Sequence, residues 1–293
     1  MSFFFKEPPK CITYQLDNNG QFVEKQPIYT YWWDEIPNFG DWIGPYLLAK
    51  ITDRPIINVK GASKEHAIFS VGSIIEHIDQ EFPQAKIWGS GLIKAPHRKR
   101  CRKINRFVGE VHAVRGLKTF QELKNLTDLD IPQIFGDPAL LLPYFYQPQK
   151  TLRTPKVSLC PHFSHFDYFT SLDSSEKIDL IKVGDPLLNV IDQIVNSDIC
   201  ISTSLHGLIV AQAYGVPWVW LTVAENKLEG DNFKFEDFFS TLHEQQEIAN
   251  YHLELAEITE ENVLKISSLA HRSDYKYSLN ALLDSCPIVR DRV

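Results

Sequence analysis

His206 lies in the run Ser202-Thr-Ser-Leu-His-Gly207, between a β-rich stretch (198–202) and an apolar helical stretch that stops at Gly215, with Pro217 beyond it. Strand, short Ser/Gly turn and helix in that order place the free N–H groups and positive dipole end of a helix at the carboxyl end of a strand. That is a ready anion site. Small Ser and Gly residues let the backbone approach a ligand closely. A histidine in such a turn is pulled two ways, because the helix end lowers its pKa and a bound anion raises it. It can therefore act as acid or base near neutral pH. The plainer alternative is a histidine that caps the helix or packs in an interface.

The elements that must hold this turn are short β runs alternating with helical patterns, the signature of βα units around parallel sheets. Residues 27–33 read as a strand, and 41–51 as the following helix with Pro45 in its first turn. Further strands are expected at 66–71, 86–88, 110–114 and 133–135, several of them ending in glycine turns: Gly72-Ser73, Gly89-Ser-Gly91, Gly116 and Gly136-Asp137. Residues 142–155, with three prolines and no period, read as a linker. A second series follows: strands at 156–160, 178–183, 198–202 and 218–222, and helices at 189–196 and 207–214. Thr259-Glu-Glu opens a last helical region. The expected fold class is α/β, two Rossmann-like domains with parallel sheets facing a cleft: 1–147, the acceptor side, and 148–293, the donor-anion side. C-terminal helices are expected to pack back on the first domain.

Totals suit that picture. A chain of 293 residues exceeds the usual single-core size. Its 44% apolar and 23% charged residues are those of a soluble globular protein. Five scattered cysteines without CxxC spacing suggest reduced thiols, not a disulfide or zinc framework. Cys160-Pro-His-Phe-Ser-His165 lacks a fourth ligand, so no metal is expected. No run approaches the ~20 apolar residues of a membrane span, and the first residues lack the features of a signal peptide. The chain is expected in the cytoplasm. A net charge of −7 argues against nucleic acid. Residues 94–106 nevertheless carry seven Lys/Arg and no acid. They are either a solvated basic segment or a patch that meets an anionic partner, a substrate phosphate or the acidic inner face of a membrane.

Ser204-Leu-His-Gly207, followed by Ala211, Ala213 and Gly215-Val-Pro217, resembles a segment of the polysaccharide pyruvyltransferase family. Asn38-Phe-Gly-Asp41 with Pro45-Tyr-Leu47, Gly89-Ser-Gly91, Val114-Arg-Gly116, Gly136-Asp-Pro-Ala139, Cys160-Pro-His162 and Phe233–Phe238 resemble other family pieces in the family's order. The resemblance implies a fold like that of the two-domain GT-B glycosyltransferases. It also implies transfer of an enolpyruvyl-derived unit from phosphoenolpyruvate to two sugar hydroxyls, giving a pyruvate ketal, with no further cofactor. The acceptor would be a precursor of a bacterial-type surface polysaccharide, free or lipid-linked. The donor's phosphate and carboxylate require cations and N–H donors. His206 is the candidate acid, base or phosphate ligand, and Arg115, at a strand end, is the candidate clamp. Ser204, Leu205 and Gly207 of the turn, His162 at the end of the first second-domain strand, Lys234 and Gly91 are candidate substrate contacts. Asn38 and Asp41 form either an Asx turn and cap or, for Asp41, a group that orients an acceptor hydroxyl or a cation. Asp137 reads as a turn residue.

Two other functions fit the same pattern. A GT-B glycosyltransferase using a nucleotide sugar would hold the ribose hydroxyls with a carboxylate on the second-domain helix, and no Asp or Glu lies between His206 and Gly215. A non-catalytic carbohydrate-binding relative would keep the fold without the chemistry.

Overall fold

A computed structural model describes residues 13–16, 22–149, 156–243 and 248–288. β1 (Thr13–Leu16) and β2 (Phe22–Lys25) pair as a separate antiparallel ribbon. β3 (Ile28–Tyr31), β4 (Ile56–Asn58), β5 (Ile68–Phe69), β6 (Ala85–Trp88) and β7 (Val108–Ala113) form a parallel sheet in the order β4-β3-β5-β6-β7. β8 (Val157–Cys160), β9 (Ile178–Leu180), β10 (Ile199–Ser202), β11 (Trp218–Val223) and β12 (Asn250–Leu253) form a second parallel sheet in the order β12-β11-β10-β8-β9. Counted along the chain, both sheets run second, first, third, fourth, fifth. The winding therefore reverses between β3 and β5 in one sheet and between β8 and β10 in the other. Outside the carboxyl ends of strands at such a reversal, a crevice opens.

α1 (Phe39–Thr52), α5 (Leu187–Val195) and α6 (Leu205–Tyr214) lie in the layer between the sheets, with the short α4 (Leu142–Phe145) beside them. Phe39, Ile43, Leu47, Val190, Ile191, Ile194 and Leu208 share one core there. Each such side chain, fully buried, contributes roughly 1.5–3 kcal/mol, so the two sheets are joined by a core and not by a thin seam. α6 carries apolar residues around most of its circumference, and six of its ten residues are buried. α2 (Arg98–Phe107) and α3 (Leu117–Leu126) flank the first sheet. α7 (Phe233–Phe239) follows β11, and α8 (Glu260–Ser267) and α9 (Leu279–Asp284) end the described chain.

Several expected boundaries move. α1 begins at Phe39, two residues early, because the Asn38 side chain caps it by accepting from Gly40 N. Pro45 is consequently inside the helix, where its missing N–H leaves the Asp41 carbonyl without its i+4 donor. The expected strand at 133–135 is only an isolated bridge between Val114 and Phe135, and β4 had no expected counterpart. The first half of the expected linker is packed structure: Leu142 is buried, Tyr146 Oη donates to Asp192 (2.7 Å) and Tyr214 Oη donates to the Tyr146 carbonyl (2.9 Å). Residues 150–155 of that linker lie outside the described residues. Trp88 Nε1 donates to the Leu282 carbonyl (3.0 Å) and Tyr275 Oη to the Phe135 carbonyl, so the end of the chain reaches the first sheet. Among the described residues no helix is long and apolar enough to cross a membrane.

Candidate active site

Both winding reversals open on one cavity of about 340 Å³. From the first sheet, the segment after β3 supplies Trp33, Asn38 and Asp41, and the turn after β5 supplies Gly72, Ser73 and Ile74. From the second, the end of β8 supplies His162 and Phe163, and the turn after β10 supplies Ser204, Leu205 and His206. Glu229 and Lys234 close it from the segment after β11.

The β10–α6 turn is held from behind. Ser202 Oγ donates to the Cys160 carbonyl (2.6 Å) and accepts from Ser204 N (2.9 Å). Thr203 Oγ1 accepts from His162 N (2.8 Å) and lies 3.0 Å from His165 Nδ1, which ties the turn to the end of β8. Ser204 is the N-cap of α6 but makes no side-chain capping bond, so the first amides of that helix are left for another acceptor. α1 starts at the same cavity, pinned to the second half of the chain by Phe39 N donating to the Val183 carbonyl (2.7 Å). Two helix amino ends therefore point at one space.

The His206 ring lies on the first turn of α1. A Cβ at Gly40 would overlap His206 Nδ1, which is why that position has no side chain. Burial, with the charges of Lys234 and Arg115, lowers the His206 pKa to about 3, so the ring is neutral. His162 is lowered to about 3 by burial, Lys234 and the neighbouring histidines. Lys234 is 8% exposed, and burial, together with Arg115, lowers its ammonium to about 8. Burial raises Asp41 to about 7, although Lys234 and Asn38 pull it back. Near neutral pH these four groups are thus a carboxyl that is partly protonated, two neutral imidazoles and one ammonium, and Glu229 and His77 line the cavity beside them.

Two buried atoms in it have no hydrogen-bond partner: Asp41 Oδ2 and His206 Nε2. A buried polar atom without a partner costs about 1–3 kcal/mol, so such pairs mark places where a ligand completes the bonding. At the cavity mouth Trp33 and Phe163, one from each half, stack with ring centroids 5.8 Å apart.

The expected contacts divide. His206, Ser204, Leu205, His162, Lys234, Asn38 and Asp41 line the cavity; Arg115, Gly91 and Gly207 do not. Arg115, expected as a clamp at a strand end, is wholly buried: Nε pairs with Asp237 (2.9 Å), Nη1 donates to Ser73 Oγ (2.6 Å) and Nη2 to the Leu92 carbonyl (2.6 Å). Its guanidinium is spent on protein groups. Gly91 is small to admit that guanidinium, which a Cβ there would overlap. Gly207 is small so that α6 can approach Ser202 and Cys160. Asp137, expected in a turn, accepts from Ala139 N (3.0 Å) as a cap. Trp33, Ser73, His77, Phe163 and Glu229 line the cavity without having been singled out; the Gly72-Ser73 strand-end turn was the signal for Ser73.

Residues 16–225 match the polysaccharide pyruvyl transferase family. An uncharacterized protein of Acanthamoeba polyphaga mimivirus is 28% identical over 227 residues, 74% of this chain and 75% of that protein. A functionally uncharacterized protein of Klebsiella pneumoniae subsp. pneumoniae NTUH-K2044, known by crystal structure, superposes with a TM-score of 0.42 at 15% identity, over 72% of this chain and 88% of the other.

Proposed function

The chain belongs to the polysaccharide pyruvyl transferase family, and from that premise we propose that it moves an enolpyruvyl-derived unit from phosphoenolpyruvate to a sugar of a surface or exopolysaccharide precursor. The observation that carries this reading is the pairing of the two partnerless buried atoms, Asp41 Oδ2 and His206 Nε2, beside a buried ammonium and two helix amino ends. Lys234 and the free amides of α6 suit the donor's phosphate and carboxylate. Asp41, held near 7, delivers a proton to the donor's methylene carbon, which leaves an oxocarbenium centre at the neighbouring carbon. Neutral His206, whose pKa the negative charge of the bound donor raises from its value in the free site, accepts the proton of the sugar hydroxyl that attacks this centre. Breaking the carbon–oxygen bond then releases phosphate, and a second hydroxyl of the same sugar closes the ketal. Overall, one hydroxyl proton ends on the new methyl group and the other on phosphate. The stacked Trp33 and Phe163 offer an apolar face to a sugar ring at the mouth.

The accompanying proposals are a GT-B-like pair of domains, 1–147 and 148–293, no cofactor beyond the donor, and a cytoplasmic site of action. The exposed Arg98, Lys99, Arg102 and Arg106 of α2 are proposed to touch the acidic inner face of a membrane where a lipid-linked acceptor sits. The test is incubation with phosphoenolpyruvate and a panel of free, nitrophenyl and lipid-linked sugars, following phosphate release and the acceptor's mass. Phosphoenolpyruvate is expected to raise the melting temperature. A shift with nucleotide sugars and none with phosphoenolpyruvate overturns the proposal.

A further inference from the structure

α7 comes late in the chain, yet its polar contacts reach the first sheet. Asp237, 0% exposed, accepts from Arg115 Nε (2.9 Å), and Thr119 donates to it twice, N to Oδ1 (2.8 Å) and Oγ1 to Oδ2 (2.7 Å). Arg115 is equally buried, and its remaining bonds reach Ser73 Oγ and the Leu92 carbonyl. Leu92 N closes a ring by donating to Thr119 Oγ1 (3.0 Å). Just past the helix, Ser240 Oγ accepts from Leu117 N (2.8 Å), and a Cβ at Gly116 would overlap the Asp237 carbonyl. Lys234, three residues before Asp237, is its neighbour on the helix surface.

A buried ion pair is weak evidence for stability, because apolar side chains of the same volume commonly serve as well. What it adds is direction. The planar fork of an arginine fixes three acceptors at set angles, and here those acceptors belong to α7, to the turn after β5 and to the chain after β6. We propose that Asp237 is a positioning residue: it locks the Arg115 fork, and thereby sets Ser73 on one wall of the cavity and Lys234, one helical turn away, on the other. Asp237 itself touches no substrate. The purpose given to this strut rests on the donor reading above; the strut does not.

The test is Asp237→Asn in the full chain, with the Lys234 amine titrated by acylation across pH 6 to 11 and read by peptide mass spectrometry. In the parent the midpoint is expected near 8. Burial is its largest cause, so a Lys234 released to water rises toward the ordinary lysine value of 10.5. A Lys234 that stays in place, beside an Arg115 that has lost its counter-charge, keeps its midpoint or drops. A rise of half a unit or more is expected. A smaller rise, no change or a fall overturns the proposal. If this variant does not fold, Arg115→Lys, which keeps both charges but loses the fork, is read by the same rule. Phosphate release by the parent is followed in parallel. Its absence sinks the donor reading, while the Lys234 titration still decides the strut.

Discussion

Asp41→Asn removes one ionisation from the cavity and almost nothing else. The Asp41 carboxyl stands at about 7 in the folded chain against an ordinary 3.8, chiefly because it is buried. The folded state therefore holds the proton more tightly than the unfolded chain does. Stability is lost as pH rises from near 4 through 7, and the full penalty is in place above that window. Carrying those two values through the linkage relation gives a cost of about 2 kcal/mol at pH 5 and about 4 kcal/mol at pH 8. The attraction of Lys234 is already contained in them, since it is one of the causes that hold Asp41 down. An amide has no such pH dependence. Urea denaturation should therefore show the variant gaining roughly 2–3 kcal/mol more, relative to the parent, at pH 8 than at pH 5. Phosphate release should fall on the order of a hundredfold at the same time, because the proton donor is gone. Stability gained where turnover is lost is the mark of a site strained for its chemistry. An equal stability difference at both pH values would refute the reasoning: Asp41 would then be an ordinary ionised carboxylate, unable to donate at neutral pH.

His206→Ala should cut turnover on the order of a hundredfold or more while the melting temperature changes little, because its Nε2 leaves no partner behind. Gly40→Ala would by helix propensity stabilise α1 by up to about 1 kcal/mol, yet its Cβ displaces the His206 ring; lost turnover in a folded protein, seen by phosphate release beside a thermal melt, is the expected result. Turnover of the parent should decline between pH 7 and 8, as Asp41 gives up its proton and Lys234 its charge, and a profile flat across that range would count against both roles. Replacing Arg98, Lys99 and Arg102 with Ala should weaken sedimentation with phosphatidylserine vesicles at low salt; unchanged sedimentation would make α2 a solvated surface helix.

The alternation of β runs and helical stretches, the Asn38 region and the Ser204–Gly207 turn were legible from residue types alone. Local rules govern them: N–H groups left over at helix ends, small residues where backbones approach, glycine where a helix stops. The same rules placed His206 correctly at the start of α6 and Asp41 in the first turn of α1. They missed where α1 begins, because a cap is decided by one side-chain bond, and they read residues 142–149 as linker because prolines look alike in a loop and in a packed turn.

Burial was beyond their reach. Arg115 looked like a clamp because the resemblance and the donor's two anionic groups call for a cation at that strand end, and only tertiary structure shows it spent on Asp237, 122 residues away along the chain. The pKa values near 7 for Asp41 and near 3 for His206 likewise arise from groups that meet only when two sheets close on a shared core. The sequence by itself determined that a helix amino end with a histidine would form at the end of a strand. Tertiary structure decided what faces it, because desolvation and charge depend on distance in space and not on separation along the chain.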